Sequence, residues 1–543
     1  MNQKALPLGI DGFRKLREGD YYYTDKSMLI ADFLKTGAEV TLITRPRRFG
    51  KTLNMDMVRE FFDIEANSKD IFSGLAIMDT SWKEAMNTTP VISLSFRDCK
   101  GDKAILIFLI KQELLREYRR FEHCAKDLAP MDQTIYNEII GCLVKSDEEI
   151  VPISRAIAFL SQIVSEYYHK NPIILIDEYD TPMTSAYTEG FYDELRSFFT
   201  ALYASALKGN PYLDKALLTG IQRIAKENIF SGLNNLVVCT VNDRAYSEYF
   251  GFNPQEAQAL LESYGLELND EVKKMYDGYR FADQEMYNPW SLINYANSRE
   301  LIPSWVNTSS NTLIRQTVLK ASDSFLRQFD ELILNGSIKT MVNLSTSFFE
   351  LQDDATLWGL LMNSGYVTVN RVLNLQARLY EIRIPNSEVG QEFQNIVAQR
   401  TRIESGYLAE MFYYLIQERN LEEFQKVYKR IVSSCTSYFD AKENAYHMLM
   451  LGMCVYLSGT YEINSNLEAG KGRSDITLKA KEPGYPHIIM EFKQGEDLEK
   501  LSRQALEQIH EKEYYDGLAG EILLLGVAHN KKDCVIQSEM LSK

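Results

Sequence analysis

Val40-Thr-Leu-Ile-Thr-Arg-Pro-Arg-Arg-Phe-Gly-Lys-Thr52 begins as a continuous apolar, β-branched run. That is the pattern of a strand buried on both faces of a parallel sheet. A helix opens at Gly50-Lys51-Thr52, so the stretch reads strand, turn, helix. Such a turn aims backbone N–H groups inward at a helix N-terminus, where they can hold phosphate oxygens. Gly50 allows close approach, Lys51 brings a positive charge to the β- and γ-phosphates, and the Thr52 hydroxyl can ligate Mg²⁺. The pattern departs from the usual P-loop at its first glycine, where Arg45 stands. Phe49 belongs to the turn, and Arg47 and Arg48 are read either as phosphate contacts or as a basic rim.

A second element belongs with the first. Ile173-Ile-Leu-Ile-Asp177-Glu178 is another buried strand, ending in two carboxylates about 125 residues beyond Thr52. Asp177 suits a Mg²⁺ shell and Glu178 suits polarising an attacking water, as phosphoryl transfer from ATP requires. A third strand ends at Leu218-Thr219-Gly220, where Thr219 could sense a γ-phosphate. Arg223 follows, where it could offset charge developing in transfer. Strand-end polarity and a helix-start cation explain these two residues equally well. Val91–Ser95 supplies a further strand, and helical stretches such as 104–118 and 191–207 lie between the strands. The alternation implies a doubly wound α/β domain.

Working outward, residues 1–254 read as this P-loop domain and 255–310 as a helical lid with aromatic loops around Tyr276-Asp-Gly-Tyr279 and Tyr287-Asn-Pro-Trp290. Residues 311–387 read as a winged-helix-like linker domain. In it a helix is stopped by Gly365, and 367–369 and 379–384 form a small hairpin; Pro385-Asn-Ser is a plausible hinge. Residues 388–543 open with helices and close with strand, strand, helix, strand.

The last region carries a second constellation. Gly472-Arg-Ser-Asp475-Ile-Thr-Leu478 has one acid, and fifteen residues on comes Ile488-Ile-Met-Glu491-Phe-Lys493. A hairpin turning at Pro483-Gly484 would bring Asp475 and Glu491 together, with Glu491 and Lys493 on one sheet face. Two carboxylates can hold Mg²⁺, which stabilises charge on a scissile phosphate and helps generate hydroxide. The lysine can orient water or offset phosphorane charge. Glu443, one turn before His447, is the candidate third acid, with Glu468 its competitor. In the helix from about 497 to 514, Gln508 shares a stripe with Leu501 and Ala505 and could face the site. A surface hairpin with an ordinary ion pair would explain the acid–acid–lysine set alone about as well.

The net charge of −16 argues against a chain that coats nucleic acid through its overall field. A nucleic-acid partner, DNA rather than RNA, must be bound locally, by cations such as Lys471, Arg473, Lys479, Lys481 and Lys493. Seven scattered cysteines without a CxxC pair read as reduced thiols. The start lacks an apolar signal segment, and the most apolar helix candidate, 445–457, is too short to span a membrane. A cytoplasmic protein without a membrane partner is expected, and a homo-oligomer is compatible with the sequence.

Several stretches together resemble the AAA-ATPase-like proteins common in anaerobic bacteria. They are Thr44-Arg-Pro-Arg-Arg-Phe-Gly-Lys-Thr52, Ile176-Asp-Glu-Tyr-Asp-Thr-Pro182, Thr219-Gly220 with Arg223-Ile-Ala-Lys226, and Ile229-Phe-Ser-Gly-Leu-Asn-Asn235. Leu6-Pro-Leu-Gly-Ile10, Tyr23-Thr-Asp-Lys26 and Trp305-Val-Asn-Thr-Ser-Ser310 belong to the same resemblance. It extends over nearly the whole chain, and the Arg-Pro-Arg-Arg form of the loop is part of it. It implies a P-loop ATPase followed by a PD-(D/E)XK nuclease-like domain, with Ser474 where that motif's name has proline. The expected fold is an α/β multidomain chain: parallel-sheet ATPase, helical lid, winged-helix-like segment, then a restriction-endonuclease-like α/β domain. The expected function is ATP- and Mg²⁺-dependent, nucleotide-regulated cleavage of DNA. The other class of reading is a nucleotide-dependent switch whose nuclease fold docks DNA or a protein without cutting. The intact Asp475, Glu491 and Lys493 set favours the first and the acidic charge the second.

Overall fold

The computed structural model describes residues 3–223, 235–305, 312–345, 353–400, 405–434, 444–457, 459–469, 471–530 and 533–543. The chain divides into two compact units, Met1–Thr317 with Lys339–Glu388, and Val318–Ile338 with Val389–Lys543.

The first unit is built on a parallel sheet of β1 (Val40–Thr44), β2 (Val91–Ser95), β3 (Ile173–Asp177), β4 (Lys215–Gly220) and β5 (Leu236–Cys239), in the order β2-β3-β4-β1-β5. β1 and β3 are buried throughout, as their unbroken apolar runs require. Register pairs Thr44 with Gly220 and Asp177 with Ser95, so four strands end together at their carboxyl edge. Open α/β sheets bind ligands outside that edge. β5 was not among the expected strands; at the sheet's end, its Leu236 and Cys239 are buried and Val237 is exposed. Helices Lys103–Arg120, Ala156–Tyr168 and Tyr192–Leu207 pack a common core with the sheet. The first of them is capped by Asp102, which accepts the Ile105 N–H at 2.9 Å.

The stretch expected as a lid holds helices Pro254–Ser263, Asp270–Tyr276 and Pro289–Ser298 around a core that includes Leu260, Tyr276 and Leu292. Asn253 and Glu256 make a reciprocal capping box at the first. The stretch after Tyr276, expected as a loop, is a hairpin of Tyr279–Phe281 and Gln284–Met286. Gly278 introduces it at φ +99°, and a Cβ there would lie 2.1 Å from the Pro385 carbonyl oxygen, so only glycine fits. Helix Asp354–Asn363 ends before Gly365, and Thr368–Asn374 pairs antiparallel with Leu379–Arg383, as the sequence suggests. Residues 224–234 and 306–311, which hold two of the quoted stretches, lie outside the described residues.

In the second unit, helices Ser405–Ile416, Leu421–Ser434 and Asn444–Cys454 precede a five-stranded sheet. Its strands, in spatial order, are Tyr461–Ala469, Gly472–Ala480, His487–Gln494, Glu521–Asn530 and Asp533–Ser542. The expected strand, strand, helix, strand sequence forms its centre; the two outer strands are additional. Helix Leu498–Glu511 connects the one parallel pair, His487–Gln494 with Glu521–Asn530, as a parallel crossover requires. Helix and sheet touch at Gly526, where a Cβ would lie 2.2 Å from the Ser502 carbonyl oxygen.

Among the described residues, no helix is long and apolar enough to cross a membrane. Cys99, Cys124, Cys142, Cys239, Cys454 and Cys534 are buried free thiols.

Glu388 gives the first unit a pH-dependent stability. It is buried, and its carboxylate accepts the Trp305 N–H at 2.7 Å and the Ser291 hydroxyl at 2.8 Å. Burial pushes its carboxyl up to about 7, from the ordinary 4.5. The folded chain thus holds this proton more tightly than the unfolded chain. The contribution to folding is complete below the ordinary value and is lost as pH rises to about 7. Urea unfolding should therefore show stability falling across that window, and Glu388→Gln should remove this part of the slope. An unchanged slope in Glu388→Gln would assign it to another group.

Candidate functional site

The chain leaves β1 into a loop whose side chains diverge. Arg45, at the first glycine position of the motif, is fully buried. Its guanidinium donates to the carbonyls of Thr44 (2.8 Å), Cys239 (3.1 Å) and Ala245 (3.4 Å) and lies over the rings of Phe250 and Phe281. Burial without a carboxylate contact pulls its pKa down to about 10. The departure from the P-loop pattern thus turns away from the loop's concave side. Arg47 is half-buried, and its carbonyl accepts the Trp305 indole N–H at 3.2 Å. Arg48 is exposed, with its guanidinium 4.6 Å from the Trp290 ring centre. Phe49, expected as part of the nucleotide site, has its side chain in the core, edge-on to Tyr279. What it can offer a ligand is main chain only.

Gly50, at φ +84°, turns the chain into helix Lys51–Phe62. Lys51 is buried, and its ammonium donates to the carbonyls of Arg45 (3.1 Å) and Pro46 (2.9 Å). Burial lowers its pKa, opposed by Glu178 and Asp177. Asp177 draws three elements together. Its Oδ2 accepts the Thr52 hydroxyl at 2.7 Å, and its Oδ1 accepts the Thr219 hydroxyl at 2.5 Å. Burial raises its pKa, helped by the neighbouring Glu178 charge. Glu178 sits at φ +50°, a backbone region costly for a residue with a side chain, and its Oε2 accepts the Thr181 hydroxyl at 3.0 Å.

Sequence reasoning missed Asp180. Its Oδ2 accepts the N–H groups of Ile221 and Gln222 at 3.0 and 2.8 Å, which fixes the chain leaving β4, and burial pushes its pKa up to about 6. A Cβ on Gly220 would lie 2.6 Å from Asp180 Oδ1. The signal was present in Asp177-Glu-Tyr-Asp180, where a third acid stands two residues beyond the first pair. Arg223 is half-buried, and among the described residues no hydrogen bond or ion pair brings it to Lys51, Asp177 or Glu178.

In the second unit, the hairpin pairs Ile476 with Met490; one step along that register sets Asp475 opposite Glu491. Asp475 Oδ2 accepts the Phe492 N–H at 2.8 Å. Glu491 is buried; its Oε1 accepts from the Gln508 amide and from Lys493 Nζ at 3.5 Å, and its Oε2 is buried with no hydrogen-bond partner. Burial pushes the Glu491 carboxyl up to about 7, and the Asp475 charge adds to it. Gln508 faces the acids as its stripe suggested, and its amide also donates to the Tyr514 hydroxyl at 3.2 Å. Tyr514 was missed because the expected helix ran on to it, whereas the helix ends at Glu511 and frees Tyr514 from the helical period. Ser474, in the motif's proline position, is buried against the Thr477 hydroxyl at 2.7 Å. Of the local cations, Lys471 pairs with Glu513 at 3.1 Å, while Arg473 and Lys481 are exposed.

An oxygen-only donor set with one orphaned buried carboxylate oxygen fits a hard divalent cation, which relieves the cost of burying that oxygen. Among the described residues no group of three acids, histidines or cysteines forms a metal cluster. Glu443 lies outside the described residues, as does the side chain of Glu468. Two carboxylates suffice for Mg²⁺, which keeps several of its waters.

Comparison with known proteins agrees with this division. Residues 7–230 match the family described as Predicted AAA-ATPase, AAA-ATPase-like. Residues 441–539 match the PD-(D/E)XK nuclease superfamily. The chain carries both domains. It is also similar to a protein of Azotobacter chroococcum mcd 1 described as "Uncharacterized protein in vnfD 5'region", with 29% identity over 403 residues. That match spans 72% of this chain and 69% of the relative.

The Asp177 arrangement has a measurable cost if broken. Thr219→Val keeps the shape and removes one donor from a buried carboxylate. Hydrogen bonds to charged groups contribute roughly 1.5–3 kcal/mol. Denaturant unfolding near neutral pH should show a loss of that size in the first unit. A loss below about 0.5 kcal/mol would mean the bond contributes little.

Proposed function

We propose that this protein is a nucleotide-regulated nuclease, whose first unit binds and hydrolyses ATP and whose second unit cleaves DNA with Mg²⁺. The observation that carries the reading is Glu491 Oε2, buried without a donor, across the register from Asp475 and on one sheet face with Lys493. A purely structural carboxylate at that place would meet donors on both oxygens.

In the first unit, Lys51 would exchange its loop carbonyls for the β- and γ-phosphates, and the N–H groups around Gly50 would hold their oxygens. Arg47 and Arg48 would line the rim. Thr52 and Asp177 would hold Mg²⁺, and Thr219, already on Asp177, would report the γ-phosphate to the same carboxylate. Glu178 Oε2 would take the proton of the attacking water, once free of Thr181. We assign Arg223 only a secondary role in offsetting charge. In the second unit, Asp475 and Glu491 would hold Mg²⁺, with Glu443 or Glu468 a further oxygen donor. Bound there, the ion supplies charge stabilisation at the scissile phosphate and a lower pKa for water. Lys493 would orient that water or meet the developing negative charge. Gln508 and Tyr514 would keep Glu491 turned toward the site. The buried free thiols suit a reducing compartment, which supports a cytoplasmic location.

The two units can be tested separately. Lys51→Ala should abolish ATP binding while the fold survives; ATP affinity equal to wild type would remove the loop from its role. Glu178→Gln should bind ATP and hydrolyse it at least about 100-fold more slowly, since it loses the proton acceptor. For the nuclease, single-turnover cleavage across a Mg²⁺ titration separates the roles. Asp475→Ala and Glu491→Ala should regain part of their activity at high Mg²⁺. Lys493→Ala should lose roughly 10²-fold or more that no Mg²⁺ recovers, the size of a preorganised charge lost at a transition state. Cleavage by Lys493→Ala at the wild-type rate would put the active site elsewhere. A wild type that cuts no nucleic acid under any nucleotide or metal condition would leave a switch that binds without cutting.

A further inference from the structure

Beyond Asp177 on the side of β2, the first unit encloses a cavity of about 230 Å³ that adjoins the proposed ATP site at Arg47 and Thr181 and is otherwise unused by the reading above. One wall is helix Thr181–Glu189, which turns Thr181, Thr184, Ser185 and Thr188 into it; their spacing puts four hydroxyls on a single face. Opposite stand Trp305 and Tyr366, with ring centres 5.5 Å apart in edge-to-face contact. Arg47 and Lys100 also line the cavity, and neither makes an ion pair among the described residues. Gln222 closes it: the residue is 3% exposed, and its Oε1 is buried with no hydrogen-bond donor.

These features select among occupants. An apolar guest would leave the Gln222 oxygen unmet, at a cost. A cationic finger from a second copy would face two unpaired cations. Two acids line the cavity: Asp180, already engaged by two backbone N–H groups, and Glu189, exposed at the end of its helix. The occupant should therefore carry an N–H donor for Gln222, a flat ring for Trp305 or Tyr366, and an anion for Lys100 and Arg47. A nucleotide whose base bears an amino group meets all three. The volume lies below the roughly 300–1,000 Å³ of drug-sized ligand sites, so a single nucleotide unit is the upper limit. We infer that this cavity is a second nucleotide site, distinct from the phosphate loop, for one amino-bearing nucleotide, either free or at the end of a nucleic-acid strand.

The site is wired to hydrolysis through one hydroxyl. Thr181 lines the cavity and also donates to Glu178 Oε2. A ligand phosphate accepting the Thr181 hydroxyl would release Glu178 to face the attacking water. Occupancy should raise the ATPase rate.

The experiment fills the phosphate loop with Mg²⁺ and a non-hydrolysable ATP analogue, then titrates AMP, purine riboside 5′-monophosphate or a 5′-phosphorylated single-stranded oligonucleotide by calorimetry. One further AMP per chain should bind, about 10-fold or more tighter than purine riboside 5′-monophosphate, whose base carries no N–H donor. Binding by the oligonucleotide alone would support the site and name the strand end as its source. Lys100→Glu, an exposed change, should weaken this binding about 10-fold or more and leave analogue affinity within about 2-fold. Gln222→Leu should erase the preference over purine riboside 5′-monophosphate. AMP should stimulate steady-state ATP hydrolysis in wild type and not in Lys100→Glu. Binding of the analogue alone, with nothing further from any probe, overturns the inference, and so does second-site binding untouched by Lys100→Glu and Gln222→Leu. If the analogue fails to bind while AMP binds in a Lys100-dependent way, the ATP reading falls and the second site stands.

Discussion

Asp177 lies buried at the end of β3, and each of its carboxylate oxygens receives a threonine hydroxyl, one from Thr52 and one from Thr219. A carboxylate in such a place must be hydrogen-bonded or it destabilises the fold. The two donors come from the helix after β1 and from the end of β4, so one acid ties three strand ends together. β4 lies between β1 and β3 in the sheet, which is why Thr219 can reach the acid from one side while Thr52 reaches it from the loop. Asp180 repeats the device one turn on, taking two backbone N–H groups and fixing the chain beyond Gly220. The phosphate loop therefore rests on a pre-formed polar frame, and a metal ion would have only to substitute for a hydroxyl hydrogen.

The second unit treats its buried acid differently. Glu491 gets donors on one oxygen only, from Gln508 and Lys493, and its other oxygen is left bare. Burial and the nearby Asp475 then push its carboxyl to about 7. Asp177 has two hydroxyls that oppose the rise, and Glu491 has no equivalent on Oε2. The difference separates an acid completed by its own fold from one completed by what binds to it. Tyr514 and Gln508 add rigidity, because an amide shared between a carboxylate and a phenol has little freedom to turn away.

The parts legible in the sequence are those that a single period or a single motif writes down. β1, β3 and β4 are continuous apolar runs, and the Asp475–Glu491 pairing follows from a hairpin around Pro483-Gly484. The parts that were not legible depend on partners far away in sequence. Tyr461-Glu-Ile-Asn-Ser-Asn-Leu-Glu-Ala469 is too polar to announce a strand and becomes one by pairing with Gly472–Ala480. Tyr279–Phe281 reads as an aromatic loop because its hairpin partner, Gln284–Met286, has only one buried residue. Asp180 looks like one more acid in an acidic stretch until β4 supplies its two donors. Arg45 looks like a phosphate ligand by position, and only the rings of Phe250 and Phe281 explain why its charge goes the other way.

That reversal at Arg45 bears on how the loop could signal. Three residues, Pro46, Arg47 and Arg48, separate it from Phe49, and most of this stretch is attached to residues 250–305. Arg45 lies over Phe250 and Phe281, and the Arg47 carbonyl accepts from Trp305. Arg48 stacks on Trp290, and Phe49 packs edge-on to Tyr279 while its carbonyl accepts the Gly251 N–H at 3.1 Å. A glycine-rich loop could reshape around phosphate without disturbing its surroundings. This one cannot, because its side chains are anchored and packed cores respond to displacement by repacking rather than by stretching. Lys51 spends its charge on the carbonyls of Arg45 and Pro46. Drawing that charge onto a nucleotide removes two bonds from the same anchored loop. On the proposed reading, the arginines and the phenylalanine would pass phosphate occupancy on to the residues expected as a lid, and a glycine in place of Arg45 would lose part of that anchorage.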